Sequence, residues 1–372
     1  MKVLLVEPYY SGSHRAWADG YVRHSGHEVR LITHPGRWWK WRMKGGAVTL
    51  AASLESLEGW TPEVVLVSDM IDLAHFRALA RPHIGDPPTA LYFHESQLTY
   101  PVAPGSSPDH SYSLTNWISA CAADAVLFNS GYHRQVFFEN LSGFLATFPD
   151  MGHGHLIHDV ESRSDVLPVG VDLSWVRPRS GKRTVPRILW NHRWEFDKDP
   201  EAFADAVEHL IGGDADFELV LAGARTGRTP VVLERIRELA GDRIVHDGEA
   251  PTPTYRKLVA GSDIVVSASR QEFFGISVVE AIASGCRPVL PDRLSYPWLI
   301  PNEYHDEVLY RDGELGPALA QALQGPQAPE SLAETMKRFD WNEMAPEYDS
   351  HLAALRGPPR PASREGTEPR VP

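Results

Sequence analysis

Short apolar runs recur along the chain with longer, helix-patterned stretches between them. In the first half they fall at 3–7 (VLLVE), 29–32 (VRLI), 63–68 (EVVLVS), 89–95 (TALYFHE) and 125–130 (AVLFNS). A second series falls at 187–191 (RILWN), 217–223 (FELVLAG), 243–248 (RIVHDG), 263–269 (DIVVSAS) and 287–291 (RPVLP). Continuous apolar runs of this length, alternating with helical segments, predict strands buried on both faces of a parallel sheet with crossover helices. Two series predict an α/β chain of two Rossmann-like lobes, at 1–173 and 187–328. Pro178, Gly181 and Pro186 mark residues 174–186 as a linker. A helix is expected at 329–356 and a disordered tail at 357–372. A ligand cleft should lie between the lobes, facing the carboxyl ends of the strands.

Composition agrees with two cores. The chain has 372 residues, more than one core usually organises, and 42% of them are apolar. Its 2 cysteines, Cys121 and Cys286, sit in apolar or helical contexts, which predicts no disulfide framework and a reducing, cytoplasmic location. The start of the chain reads as a first strand rather than an export signal, and no run approaches the length of a membrane span. A net charge of −13 argues against broad nonspecific binding to nucleic acid, so any RNA contact must come from a local basic patch.

The most informative string is EFFGISVVEAIASGCRPVL, in which Glu272 and Glu280 flank Gly275. Gly275 permits close backbone approach and Ile276 begins a helical pattern, so unpaired amides and the positive end of a helix dipole would face a diphosphate. Phe274 precedes that helix. Glu280, about one turn in, can accept from ribose hydroxyls, and Glu272 from those of a sugar. Two carboxylates beside a phosphate cradle suit polyol recognition; solvated glutamates at a helix start are the plainer alternative. In HRWEFDKDP, Arg193 and Lys198 follow a strand end and precede a helix near Pro200. These cations can hold a departing diphosphate, or join a surface network with Glu195, Asp197 and Asp199.

The Glu272–Glu280 string resembles the carboxylate signature of retaining GT-B glycosyltransferases of the family-4 type. Pro168, Gly170, Val171 and Asp172, then Arg193 and Lys198, follow in the order of that superfamily. YFHESQLTYP and WNHRWEFDKDP tighten the resemblance to the tRNA-queuosine mannosyltransferase family, as do GSH at 12–14 and RWWKWR at 37–42. The resemblance covers nearly the whole chain to about residue 350. It implies a GT-B fold whose last helix returns to the first lobe, and a retaining, metal-independent transfer of mannose from GDP-mannose to queuosine at the wobble position of tRNA(Asp). It also implies catalytic roles for Glu272, Arg193, Lys198 and His94, the last at the donor sugar. A family-4 enzyme acting on a lipid, polysaccharide or small metabolite, or a non-catalytic nucleotide-sugar or tRNA binder, would share the cleft.

Other residues complete the expected site. Ser11, Gly12, Ser13 and His14 follow a strand and open a helix; Ser11 and Gly12 are placed at the donor, Ser13 and His14 towards the acceptor. Many relatives carry two adjacent glycines here, and this loop has one. Glu95, Gln97 and Tyr100 lie just beyond a strand end and are expected to line the acceptor side. In RWWKWRMK, Arg37, Lys40, Arg42 and Lys44 interleave with Trp38, Trp39 and Trp41, which suits unpaired bases and phosphates of an anticodon loop. An amphipathic surface with tucked tryptophans is the alternative. Asp197 with Asp199, and Asp214 with Asp216, form DxD strings that read as a helix cap and a turn rather than metal ligands. His153, His155 and His158 lie in an apparent loop at about 147–164 with no metal-ligand spacing. No metal and no cofactor are expected, and oligomeric state is not legible.

Overall fold

The computed structural model describes every residue except 103–104, 106, 108, 178–182, 226–230, 326–327 and 357–372. The expected tail therefore lies outside the described residues, as does part of the expected linker.

The apolar runs form two six-stranded, all-parallel sheets. The first holds β1 (Lys2–Tyr10), β2 (Glu28–Pro35), β3 (Val64–Ser68), β4 (Thr89–Phe93), β5 (Ala125–Phe128) and β6 (Ser164–Val166) in the order β2-β1-β3-β4-β5-β6. The second holds β7 (Arg187–Trp190), β8 (Glu218–Leu221), β9 (Ile244–Asp247), β10 (Ile264–Val266), β11 (Arg287–Pro291) and β12 (Leu309–Tyr310) in the order β12-β11-β10-β7-β8-β9. Every residue of β3, β4 and β11 is buried, as the unbroken apolar runs require. Each sheet reverses its winding once, between β1 and β3 in the first and between β7 and β10 in the second. Crossover helices diverge to opposite faces at such reversals and leave a crevice at the carboxyl ends of the strands.

Two expectations need correction. Residues 147–164 are not a long loop: a 3-10 turn at His153–Leu156 runs into a helix at Ile157–Ser162, and β6 begins at Ser164. Trp117 Nε1 donates to His153 Nδ1 at 3.1 Å and ties this turn to the lobe. The expected helix at 329–356 is broken. It consists of Glu330–Thr335, a 3-10 turn at Met336–Phe339 and a helix at Trp341–Ala354. Asp340 breaks it because its backbone is extended (ψ 145°); there its carboxylate caps the last helix at Asn342 N and accepts from Leu173 N at 3.1 Å.

The Trp341–Ala354 helix packs on the first lobe. Trp17 Nε1 donates to Tyr348 Oη at 3.0 Å, whose hydroxyl donates to the Pro168 carbonyl at 2.9 Å. Tyr21 Oη, Ser25 Oγ and Gly26 N all donate to the Asp349 carboxylate. Trp341 is 2% exposed and lies in a seat made by Gly20 and Gly170, where any Cβ would collide with the indole. Gly20→Ala or Gly170→Ala should therefore unseat Trp341 and cost about 1–3 kcal/mol, the range for overpacking a filled core. Chemical denaturation measures this, and a midpoint equal to wild type would contradict the seat.

Candidate functional site

The ends of β1, β4, β5, β7 and β10 converge on a cleft of about 540 Å³. The first lobe contributes Ser11, Gly12, Ser13, His14, His94 and Glu95; the second contributes Asn191, His192, Arg193, Lys198, Glu272, Phe274, Gly275, Ile276 and Glu280. All the residues expected at the donor thus line one cavity. Ser13 and His14, expected towards the acceptor, line it as well.

Lys198 sits in a 3-10 turn at Phe196–Lys198, so that its side chain turns inward and is 10% exposed. Its Nζ donates to the Gln271 carbonyl at 2.7 Å and to Glu272 Oε2 at 3.2 Å, with Asp197 Oδ2 at 3.4 Å. Burial opposes the ammonium charge, but Glu272 and Asp197 outweigh it and hold the Lys198 pKa above its usual value. Burial likewise opposes ionisation of Glu272, and the charge and hydrogen bond of Lys198, with the Phe274 amide, reverse this, so its pKa is depressed. Cation and carboxylate are both charged, fixed and facing the cleft. Burial, with help from Lys198, lowers the neighbouring His192 to about 4 and leaves it neutral. Arg193 is more open and pairs with Glu195 at 3.4 Å.

Gly275 has φ 100° and caps the Ile276–Ala283 helix without any side-chain acceptor, so the helix start presents backbone amides to the cleft. Its left-handed φ is the reason for glycine at this position. One turn in, Glu280 accepts from Tyr255 Oη at 2.9 Å. Burial is the main cause that raises Glu280 to about 7, against the lowering effects of Tyr255 and Arg256. Asn191 Nδ2 donates to the Ser277 carbonyl at 3.0 Å and to Tyr255 Oη at 3.3 Å, which holds strand end and helix together.

On the other wall, Gly12 has φ 50° and lets the chain turn from β1 into the Gly12–His24 helix. His14 is 4% exposed; its Nδ1 is 3.2 Å from Glu7 Oε2, and its ring centroid is 4.3 Å from that of His94. Burial opposes its charge, yet Glu7 carries it up to about 9, so His14 is an imidazolium at neutral pH. Burial, then the charge of His14, holds His94 neutral. Burial also raises Asp69 to about 7, against the pull of His14, and Asp69 Oδ1 accepts from His94 N at 2.8 Å. Glu7, His14 and His94 are the group among the described residues whose ligand atoms lie within 4.8 Å of one another. His153, His155 and His158 form no such group there. Of the DxD residues, Asp199 caps the Pro200–Gly212 helix at Ala202 N and Asp214 lies in a left-handed turn.

A second cavity of about 600 Å³ adjoins the first and shares Tyr9, Glu95, Tyr100 and Arg193 with it. Gln97, Trp39 and Lys40 line it. Tyr100 Oη donates to Asp197 Oδ2 across the lobes at 3.2 Å. The basic tryptophan segment divides here. Trp39 and Lys40 face the cavity, whereas Trp38 and Trp41 are 74% and 62% exposed. Lys40 and Lys44 lie over the Tyr112 ring at 5.9 and 5.0 Å, Arg42 donates to the Pro35 carbonyl, and Arg37 is exposed. The tucked-aromatic alternative therefore fits Trp39 and fails for Trp38 and Trp41.

Sequence reasoning missed Glu7, Asp69, Asn191, His192 and Tyr255. Each comes from a strand end or a neighbouring helix, and no local spacing marks it.

Two parallel lobes with a cationic, carboxylate-bearing crevice at both winding reversals define a GT-B glycosyltransferase. The catalytic domain of starch synthase IV from Arabidopsis thaliana superimposes with a TM-score of 0.70 at 13% identity, over 96% of this chain and 100% of that one. A glycosyltransferase from Rickettsia africae ESF-5 gives 0.67 at 18% identity, over 96% and 98%. Residues 2–171 match the tRNA-queuosine alpha-mannosyltransferase N-terminal family and 186–325 match glycosyl transferases group 1. A tRNA-queuosine alpha-mannosyltransferase of Drosophila melanogaster is 31% identical over 312 residues, 81% of this chain and 82% of the relative. A GDP-mannose:cellobiosyl-diphosphopolyprenol alpha-mannosyltransferase of Xanthomonas campestris is 25% identical over 212 residues, 54% and 55% of the two chains. The chain belongs to the tRNA-queuosine alpha-mannosyltransferase family, and it is a glycosyltransferase. Among the described residues no helix is long and apolar enough to cross a membrane.

The raised Glu280 sets a signed pH dependence. Its folded pKa of about 7 exceeds the ordinary 4.5, so between these values the folded chain holds a proton that the unfolded chain releases, and stability falls as pH rises. Glu280→Gln removes that titration. Denaturant unfolding without nucleotide should show the variant gaining on wild type across this window, and a difference that ignores pH would contradict the buried, protonated carboxyl.

Proposed function

We propose that the protein transfers mannose from GDP-mannose, with retention, to the cyclopentene-diol of queuosine in the anticodon of tRNA(Asp). The observation that carries this reading is the Lys198–Glu272 pair at 3.2 Å, set beside the open helix start at Gly275 and joined to a second cavity walled by Trp39, Lys40 and Gln97. Lys198, Arg193 and the amides of that helix start receive the diphosphate. Their charge is worth most where negative charge develops on the departing phosphate. Glu272, ionised and half-buried, orients the hexose hydroxyls, and Glu280 with Tyr255 receives the ribose. His14 places a further positive charge on the opposite wall.

The mannose of GDP-mannose is α-linked, and the family makes an α-mannoside, so the anomeric configuration is kept. Glu272 is already held by Lys198 and the Phe274 amide, which suits a binding group better than a covalent nucleophile. The reaction is a same-face displacement in which the leaving phosphate takes the acceptor proton. The protein needs no metal for this step, since fixed cations already face the phosphates. The exposed Trp38, Trp41, Arg37, Lys40 and Lys44 hold the anticodon loop by stacking and phosphate contact. A cytoplasmic enzyme with tRNA as partner follows from the same reading.

Incubation with each labelled nucleotide sugar and tRNA with or without queuosine, followed by nucleoside mass analysis, tests it. One hexose should appear on queuosine with GDP-mannose. Glu272→Ala or Arg193→Ala should cut turnover about 10²-fold, as loss of a transition-state contact does, while tRNA still binds. Arg37→Ala with Lys40→Ala should weaken tRNA binding instead. Hexose on a lipid or small acceptor but never on queuosine would defeat the assignment.

A further inference from the structure

We propose that Glu95 reads the acceptor by pairing with the protonated secondary amine that links the cyclopentene-diol of queuosine to its base. The proposal rests on the queuosine reading above and assigns how that acceptor is told from other nucleosides.

Glu95 stands just past the end of β4, half-buried, where the two cavities meet. An acceptor hydroxyl that attacks the donor sugar must occupy this junction while its base remains in the second cavity. In queuosine the amine lies between the ring that carries the hydroxyls and the base. Any pose that bridges the cavities therefore brings the ammonium into the junction.

Among the described residues three carboxylates line the second cavity: Glu95, Asp109 and Glu195. Asp109 accepts from Ser111 N at 3.0 Å and caps a helix. Glu195 pairs with Arg193 at 3.4 Å. Glu95 makes no side-chain hydrogen bond or ion pair among the described residues, although Tyr100 and Arg193 line the same junction. A half-buried carboxylate with no hydrogen bond of its own at the passage between donor and base, sensing His14 and Arg193 only through their charge, suits a cationic ligand, since a charged hydrogen bond there is stronger than a neutral one. Glu95 is a specificity residue on this assignment; it removes no proton and forms no bond.

The same carboxylate could instead accept from the diol hydroxyls, and the acceptor charge separates the two. Queuosine tRNA is alkylated at the amine to give the N-ethyl form, which stays cationic, or acylated to the N-acetyl form, which is neutral and of similar size. Both are assayed beside unaltered queuosine tRNA for kcat/KM with GDP-mannose. Wild type should prefer the N-ethyl over the N-acetyl acceptor by about tenfold or more, the worth of one charged hydrogen bond. Glu95→Gln should lose that preference and Glu95→Asp should keep most of it. A Glu95→Gln variant that discriminates as wild type does, or a wild type indifferent to the amine charge, overturns the pairing alone. Should the Gln variant not fold, the wild-type comparison still decides. Wild type that modifies no unaltered queuosine tRNA overturns the acceptor reading and this pairing with it.

Discussion

The site depends on two winding reversals being held face to face. A single parallel sheet with one reversal offers a crevice with one wall. Here the second wall comes from the other lobe, and the C-terminal segment fixes the angle between them. That segment crosses from the second lobe, inserts Trp341 between Gly20 and Gly170, and buries Tyr348 against Trp17 and Tyr92. A direct seam assists it: the His133 and Phe273 rings stack at 3.8 Å, and Ser130 Oγ donates to the Phe273 carbonyl at 2.5 Å. Phe273 follows Glu272 directly. The residue that sets the lobe contact is thus covalently next to a carboxylate that lines the cleft.

Given that frame, the electrostatics of the cleft follow from which charges are paired and which are open. Lys198 is charged because two carboxylates and a carbonyl surround it. His14 is charged because Glu7 lies behind it, and Glu7 is itself held by Tyr9 N at 2.7 Å. His94 and His192 are neutral because burial and the neighbouring cations leave no room for more positive charge. Cations on both walls with carboxylates behind them suit an anion that arrives, gains charge during reaction and departs. A net-negative chain can hold such an anion because its acidic excess need not lie in the cleft.

Much of the fold was legible because parallel strands are written as mostly apolar runs, and ten of them could be found that way, although the edge strands β2 and β9 are only partly buried. The two missed strands show the limit. β6 is SDV, short and polar, and β12 is LY, too short to stand out, and each is an edge strand placed by its neighbour. The break at Asp340 was hidden for a different reason. Its helix pattern continues across the break, and the extended residue is held both by its cap on Asn342 N and by the contact with Leu173, which is far away in sequence. At the site, Glu272, Gly275, Glu280, Arg193 and Lys198 were legible because each pair sits on one strand–loop–helix unit with fixed spacing. Glu7, Asp69 and Tyr255 were not, because their meaning comes from parallel neighbours that share no local motif.

The basic tryptophan segment shows how fold turns an ambiguous composition into two surfaces. Trp38 has a left-handed backbone (φ 59°), unusual for a bulky residue, and it starts the Trp39–Ser53 helix. That turn sends Trp38 outwards, while the helix puts Trp39 against Tyr112 with ring centroids 5.0 Å apart. Lys40 and Lys44 then cover the same Tyr112 ring one turn apart. An inner aromatic wall facing the cavity and an outer, exposed aromatic pair are therefore nearly adjacent in sequence. Within the helix Trp39 and Trp41 stand two positions apart and so on nearly opposite faces, which is what separates the inner wall from the outer one.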